Sequence, residues 1–171
     1  MKKQIQGNLT TDKPISSGEL KEGDSAPDFS FRSGNQAMKL SDFKERKVVL
    51  YFYPRDFTTG CTTEASEFTR DYEKFRRSDI EIIGVSPDGE ESHEKFKDKM
   101  NIPYYLAPDA DNSISKKYGT YALKKFMGKE YMGVNRTTFL INENGIIMRI
   151  FNKVKPMGHS LEVLEAFGIE K

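Results

Sequence analysis

The stretch "KVVLYFYPRDFTTGCTTEASEF", residues 47–68, decides the fold class. Its first seven residues form a continuous β-branched and aromatic run, which is typical of a strand buried on both faces. Apolar residues then recur at helical spacing and predict an amphipathic helix over about 61–77. Cys61, the only cysteine among the 171 residues, lies where this strand ends and this helix begins. The apolar residues of the helix are Ala65, Phe68, Tyr72 and Phe75.

The rest of the chain alternates between strands and helices. A second buried strand is predicted at 80–86, and 136–151 predicts a hairpin with Asn144-Gly145 at its turn. This order predicts an α/β protein with a thioredoxin-like fold, in which helices flank a central mixed β-sheet. The shorter predicted elements are strands around a turn at 33–35, a polar helix at 89–100, a strand at 103–109, a helical turn ending at Gly119 and a helix at 160–168.

Composition excludes several classes of protein. Residues 1–19 are polar and predict a loose or peripheral arm, which leaves 20–171 as one domain.

The 27 Lys and Arg balance 26 Asp and Glu, which argues against a nucleic-acid partner. No apolar run approaches the ~20 residues of a membrane span, and the N-terminus lacks a secretory apolar segment. A single cysteine fits a reducing compartment, so we expect a cytoplasmic protein without a membrane partner.

Cys61 is either a small buried hydrophobic residue or a reactive thiol. Helix N-termini carry partial positive charge and favour the thiolate. Lowering the pKa of a free thiol from ~8.5 to ~6 requires ~3.4 kcal/mol, of which a helix end supplies ~0.3–2 kcal/mol. A nearby cation would have to supply much of the rest. Complete ionisation alone makes a mediocre catalyst, so a fast enzyme also needs donors directed at the leaving oxygen.

Three neighbours of Cys61 are candidate site residues, each with a simpler alternative role. The Thr58 hydroxyl could bond the sulfur and an incoming oxygen, or could serve a helix cap or turn. Pro54 fixes the exit of the loop from the strand, or merely ends the strand. Glu64 suits the positive end of the helix and could also orient an arginine.

The spacing Pro54-x-x-x-Thr58-x-x-Cys61 resembles the active-site motif of peroxiredoxins, which are thiol-dependent peroxidases. The longer string at 47–68 resembles the Q-type subgroup, also called bacterioferritin comigratory proteins, and the resemblance extends over about residues 20–168. It implies that Cys61 is the peroxidatic cysteine and that Thr58 hydrogen-bonds the peroxide. It also implies that Pro54 shields the thiolate and that Arg136 is the cation, although Arg136 alone is only an arginine at a strand edge.

Two positions depart from the subgroup pattern. Thr59 stands where a proline is common, which predicts a slightly more mobile loop with the chemistry intact. Ser66 stands where many members carry a second, resolving cysteine, so the chain resembles the one-cysteine variants, whether Ser66 is natural or an engineered replacement. A sulfenic acid at Cys61 would therefore meet an external thiol, pair with a second chain or oxidise further.

The resemblance implies an antioxidant enzyme that reduces hydrogen peroxide and organic hydroperoxides without a cofactor. Thioredoxin, glutaredoxin or a small thiol would recycle it, and it would be a monomer or weak dimer. A disulfide-exchange protein is the first alternative, weakened because Thr58 stands where a Cys-x-x-Cys pair needs a cysteine. A thiol redox sensor without turnover is the second.

Two other features receive simpler interpretations. His93 and His159 are expected to be solvated, and no cluster of metal ligands is evident, so no metal is predicted. Residues 116–131 mix five lysines with four aromatic residues. We interpret them as a solvated face over core aromatics, with a surface for single-stranded nucleic acid as the alternative.

Overall fold

The structure, a computed structural model, describes residues 20–170. The predicted arm over 1–19 lies outside the described residues, so the domain boundary at residue 20 stays a prediction. Within 20–170, no helix combines the length and the apolar character that crossing a bilayer requires. Besides a short 3₁₀ helix (Leu40–Phe43), the elements are β1 (Ser30–Ser33), β2 (Gln36–Lys39), β3 (Lys47–Phe52), α1 (Thr59–Arg77), β4 (Ile80–Ser86), α2 (Glu90–Met100), β5 (Tyr105–Pro108), α3 (Ser113–Lys117), β6 (Tyr121–Phe126), β7 (Lys129–Val134), β8 (Thr137–Ile141), β9 (Ile147–Phe151) and α4 (His159–Ala166).

The central sheet has five strands in the order β5-β4-β3-β8-β9. β3, β4 and β5 run parallel, because helices make the crossovers between them. β8 pairs antiparallel with both β3 and β9, and the turn between β8 and β9 contains Asn144 and Gly145 as predicted. The predicted mixed α/β sheet is therefore confirmed.

Alternation along β3 explains its continuous apolar sequence. Val49 and Tyr51 pack on one side of the sheet against residues of α1, α2 and α4. Val48, Leu50 and Phe52 belong to the second cluster, which includes residues of β1 and α3. Because both faces of β3 are covered, both sets of side chains are apolar.

Residues 116–131 depart from the sequence interpretation. They include β6, which forms a two-stranded hairpin with β7 across a turn at Met127 and Gly128, where both φ angles are positive. Phe126 is 66 % exposed and Tyr131 is also exposed, so interpreting these aromatics as core is wrong, although Tyr118 is buried. The hairpin stands outside the five-stranded sheet, and most of its side chains therefore meet solvent.

The expectation of solvated histidines is also wrong. His93 is 3 % exposed and His159 is 1 % exposed. Each ring has a polar partner at both nitrogens: His93 contacts Asp56 and the Ala107 carbonyl, and His159 contacts Thr138 and Glu162. These polar partners permit the burial of both rings. The polar sequence around each histidine suggested exposure instead.

Gly84 tests how tightly the central sheet is packed. A Cβ at this position would lie 2.9 Å from Cζ of Tyr51 and 3.0 Å from Cδ2 of Leu106. We expect Gly84→Ala to lower the free energy of unfolding by about 1–3 kcal/mol, since a buried ring cannot retreat. Urea denaturation measures this change. Gly89→Ser is the control, because a Cβ at Gly89 meets no atom within 4 Å; equal stability losses would contradict the packing argument.

Candidate active site

Cys61 is the third residue of α1. Thr58 has an extended backbone (φ −82°, ψ 159°) and forms the N-cap, so the helix begins two residues before the predicted start at 61. The first turn is closed by a 2.8 Å hydrogen bond from the amide of Thr62 to the carbonyl of Thr58. Cys61 is 1 % exposed. The thiol is thus buried in the helical turn whose backbone N–H groups lack helical partners.

Arg136 contacts this thiol although the two residues are 75 positions apart in the sequence. It directly precedes β8, and Thr137 pairs with Phe52 at the end of β3. Its Nη2 donates to Cys61 Sγ at 3.4 Å, while Nη1 donates to Glu64 Oε1 at 2.7 Å. The two arms of one guanidinium thereby bridge the sulfur and a carboxylate on the same helix, an arrangement that a lysine could not reproduce.

Glu64 is 1 % exposed, and its Oε2 has no hydrogen-bond partner among the described residues. Burial raises the pKa of Glu64 from 4.5 to about 7, and the neighbouring guanidinium of Arg136 offsets part of that effect. A buried carboxyl with one free oxygen is poorly solvated, so its protonation responds near neutral pH. The predicted pairing of Glu64 with an arginine is present.

The charge of Cys61 acts on two cations, Arg136 and Lys124. Burial works against the charged form of Arg136, but the charges of Glu64 and Cys61 raise its pKa. Lys124, on β6, donates from Nζ to the Val134 carbonyl at 3.0 Å. Burial and then the charge of Arg136 lower the pKa of Lys124, while the charge of Cys61 works in the opposite direction. In the sequence, Lys124 stands out only as one lysine of the run at 116–131.

The loop between β3 and α1 carries the other two motif residues. The Thr58 hydroxyl donates to the Arg55 carbonyl at 2.9 Å, which is a turn contact and not a helix-capping hydrogen bond. With its single proton so engaged, the Thr58 oxygen can only accept a further hydrogen bond. Pro54 is half-buried and directly follows Tyr53, whose amide donates to the Val85 carbonyl at 3.0 Å.

Gly60 has a role that the motif spacing did not reveal. A Cβ at this position would lie 3.0 Å from Nη2 of Arg136 and 3.3 Å from Cγ of Pro156. The guanidinium therefore passes directly over the helix backbone, where a side chain would obstruct it. Only the three-dimensional approach of Arg136 identifies this requirement.

One group of possible metal ligands contradicts the expectation that no such cluster exists. Ligand atoms of Asp56, Asp88 and His93 lie within 4.8 Å of one another. Protein donors already occupy these oxygens: Ser92 and His93 bond Oδ2 of Asp56, while Ser86 and the Asp56 amide bond Oδ2 of Asp88. The cluster is a hydrogen-bonded network and gives no support to a metal site.

A buried thiol in the first turn of a helix, bonded by an arginine, defines a thiol-dependent enzyme on an α/β fold. Residues 23–150 match the model of the AhpC/TSA family. The chain is 45% identical over 144 residues to "Peroxiredoxin Bcp" of Bacillus subtilis (strain 168), which covers 84% of this chain and 92% of that protein.

Solved structures agree with this assignment. A mutant of Xylella fastidiosa PrxQ superposes with a TM-score of 0.84 and 30% identity, covering 89% of this chain and 98% of that one. Xanthomonas campestris bacterioferritin comigratory protein superposes with a TM-score of 0.78 and 32% identity, covering 82% of this chain and 90% of that one. The chain belongs to the AhpC/TSA family, as a one-cysteine peroxiredoxin of the Q-type subgroup.

Membership of this family settles the class of activity. The protein is a thiol-dependent peroxidase with a thioredoxin-like fold, and a sensor or disulfide-exchange protein without turnover is not favoured. The family also implies a peroxide substrate and a thiol reductant.

Glu64 predicts a specific pH dependence of stability. Its pKa is raised from 4.5 to about 7 in the folded state, so the folded chain holds a proton that the unfolded chain releases. The contribution of Glu64 to the free energy of unfolding therefore falls as the pH rises from 4.5 through about 7. Relative to Glu64→Gln, we expect the wild type to lose up to about 3 kcal/mol between pH ~4.5 and pH ~8. Urea denaturation of both proteins at each pH measures the difference, and parallel stability profiles would contradict it.

Proposed function

We propose that Cys61 is the peroxidatic cysteine and that Arg136, Thr58 and Pro54 form its catalytic surroundings. The contact that supports this assignment is the 3.4 Å hydrogen bond from Arg136 Nη2 to Cys61 Sγ. It places a permanent cation beside the sulfur and favours the thiolate. The N-terminal turn of α1 adds partial positive charge at the same point.

The reaction begins when the Cys61 thiolate attacks the terminal oxygen of a hydroperoxide. An S–O bond forms, the O–O bond breaks, and the sulfur becomes a sulfenic acid, while the departing oxygen takes a proton from solvent and leaves as water or an alcohol. Arg136 donates to the peroxide oxygens, while the Thr58 oxygen accepts from the peroxide O–H group. Pro54 limits the access of water to the sulfur. Charge developing on the leaving oxygen is thereby stabilised in a buried site.

Reduction of the sulfenic acid requires two electrons from thiols. A first external thiol attacks the Cys61 sulfur and releases water, and a second thiol then attacks the mixed disulfide and restores Cys61. The single cysteine makes an internal disulfide impossible. Thioredoxin, glutaredoxin or a small thiol in a reducing compartment such as the cytoplasm would supply these electrons, to a monomer or weak dimer.

Organic hydroperoxides are proposed as substrates together with hydrogen peroxide. The structural report on the Xanthomonas campestris relative concerns alkyl peroxide reduction by that protein. In this chain, exposed apolar side chains of the β6–β7 hairpin lie on the element that also carries Lys124, whose pKa responds to the charge of Cys61. Such a surface suits a peroxide with an apolar substituent better than a wholly polar one.

One experiment tests the proposal directly. Reduced protein is mixed with one equivalent of hydrogen peroxide, and peroxide loss and protein mass are followed over milliseconds to seconds. We expect rapid consumption and a trappable one-oxygen adduct at Cys61, both abolished in Cys61→Ser. A rate no higher than that of a free thiol would return Cys61 to a structural role, and stoichiometric oxidation without turnover on added thiol would favour the sensor.

Arg136→Ala separates transition-state stabilisation from thiolate formation. We expect the rate constant for hydrogen peroxide to fall on the order of 10²–10³-fold, since the donor to the leaving oxygen is lost. Alkylation of Cys61 by neutral iodoacetamide should fall far less, because that reaction depends on the thiolate alone. Arg136→Lys is the control that keeps the positive charge but loses the paired N–H donors of the guanidinium. Equal slowing of both reactions would mean that Arg136 acts only on the ionisation of the thiol.

Ser66→Cys tests whether α1 can open after oxidation. Ser66 is exposed and lies five residues beyond Cys61, so about 7.5 Å of helical rise separates the two positions. We expect peroxide to produce an internal disulfide in this variant, detected as a mass loss of about two hydrogens. Sulfinic and sulfonic acids without a disulfide would show that the first two turns stay helical.

A further inference from the structure

Asp56 is a buried charged residue in the loop between β3 and α1, two residues before Thr58. Its Oδ1 accepts from the Tyr53 hydroxyl at 2.7 Å. Its Oδ2 accepts from the Ser92 hydroxyl at 2.7 Å and lies 2.8 Å from Nδ1 of His93. Three partners on a single carboxylate make this one of the most heavily bonded side chains of the described residues, and the peroxidase motif does not include it.

His93 connects the same carboxylate to the central sheet. Its Nδ1 lies beside Asp56 and its Nε2 lies 3.3 Å from the carbonyl of Ala107 on β5. Both ring nitrogens therefore face acceptor oxygens, although a neutral imidazole could donate to only one of them. His93 lies in the first turn of α2 and is buried, so it anchors Asp56 to an element outside the active-site loop.

The network continues along the backbone to Thr58. The Asp56 amide donates to Oδ2 of Asp88 at 2.7 Å, which fixes the peptide that joins Arg55 to Asp56. The carbonyl of that peptide belongs to Arg55 and accepts the Thr58 hydroxyl at 2.9 Å. Phe57, with a positive φ of 66°, packs edge-on to Phe96 of α2 at 5.0 Å and holds the following residue.

We propose that Asp56 and His93 are positioning residues for peroxide reduction. Through the Arg55 carbonyl they orient the Thr58 hydroxyl so that its free lone pairs face the peroxide beside Cys61. The proposal rests on the peroxidatic role of Cys61 and the acceptor role of Thr58. Although α2 contributes no residue to the motif, it would then control the geometry of the loop between β3 and α1.

Two serine variants provide a matched test. Ser92→Ala removes one hydroxyl donor from Asp56, and Ser160→Ala removes one hydroxyl donor from Asp71, a buried carboxylate farther along α1. We expect Ser92→Ala to lower the second-order rate constant for hydrogen peroxide about three- to tenfold, the usual effect of one hydrogen bond. Ser160→Ala should leave that rate within about twofold, with a similar loss of stability.

Variants of His93 sharpen the result. His93→Leu should lower the peroxide rate about 10–100-fold by displacing the loop. His93→Asn keeps a donor near the position of Nδ1 and should recover most of that rate. Alkylation of Cys61 by iodoacetamide, measured in every variant, should change less than about twofold because the thiolate is unaffected. If His93→Leu does not fold, the two serine variants decide alone.

Equal peroxide rates in Ser92→Ala and Ser160→Ala would overturn the inference, as would an alkylation rate that falls in step with the peroxide rate. Either result would mean that the hydrogen bonds of Asp56 and His93 stabilise the fold without positioning Thr58. The proposed function fails in a distinguishable way, because the wild-type protein itself would then react slowly with peroxide.

Discussion

The register between β3 and β8 is the constraint on which the active site depends. Phe52 pairs with Thr137, so the loop that leaves β3 and the arginine that precedes β8 meet at the same end of the sheet. A slip of one residue would turn Arg136 to the opposite face, and a slip of two would move it by about 7 Å. The β-branched and aromatic residues on both faces of β3 forbid either slip, because each would expose or misplace the two cores.

This register gives a buried site in which one guanidinium contacts both a sulfur and a carboxyl group. Glu64 fixes one arm of Arg136 and the Cys61 sulfur receives the other. A buried carboxylate competes with the thiolate for the same cation, but its raised pKa means that it carries less than a full charge near neutral pH. Glu64 can therefore hold the guanidinium in place without cancelling all of its positive potential at the sulfur.

The sequence predicted the parts of this arrangement that are local. Continuous apolar runs identified β3 and β4, helical periodicity identified α1, and the motif spacing singled out Pro54, Thr58 and Cys61 between that strand and that helix. It could not reveal that His93 and Asp56 meet, since they are 37 residues apart and His93 stands in a polar helix that suggested a solvated side chain. The β6–β7 hairpin was missed for the opposite reason: its apolar residues suggested core, although the strands pair only with each other and remain exposed.

The contacts that prepare Cys61 for attack also restrict its recycling. A sulfur that is 1 % exposed can meet a small hydroperoxide, whereas the proposed external thiol must bring a second sulfur into line with it. In the proposed cycle the first turn of α1 then opens against the Arg136 contact and the Thr62 amide hydrogen bond. Oxidation adds an oxygen to the sulfur that Arg136 contacts, so the proposed cycle changes the surroundings of this guanidinium. In the proposed cycle, a chain with a single cysteine therefore depends on the opening of this turn to bring a second sulfur into line with Cys61.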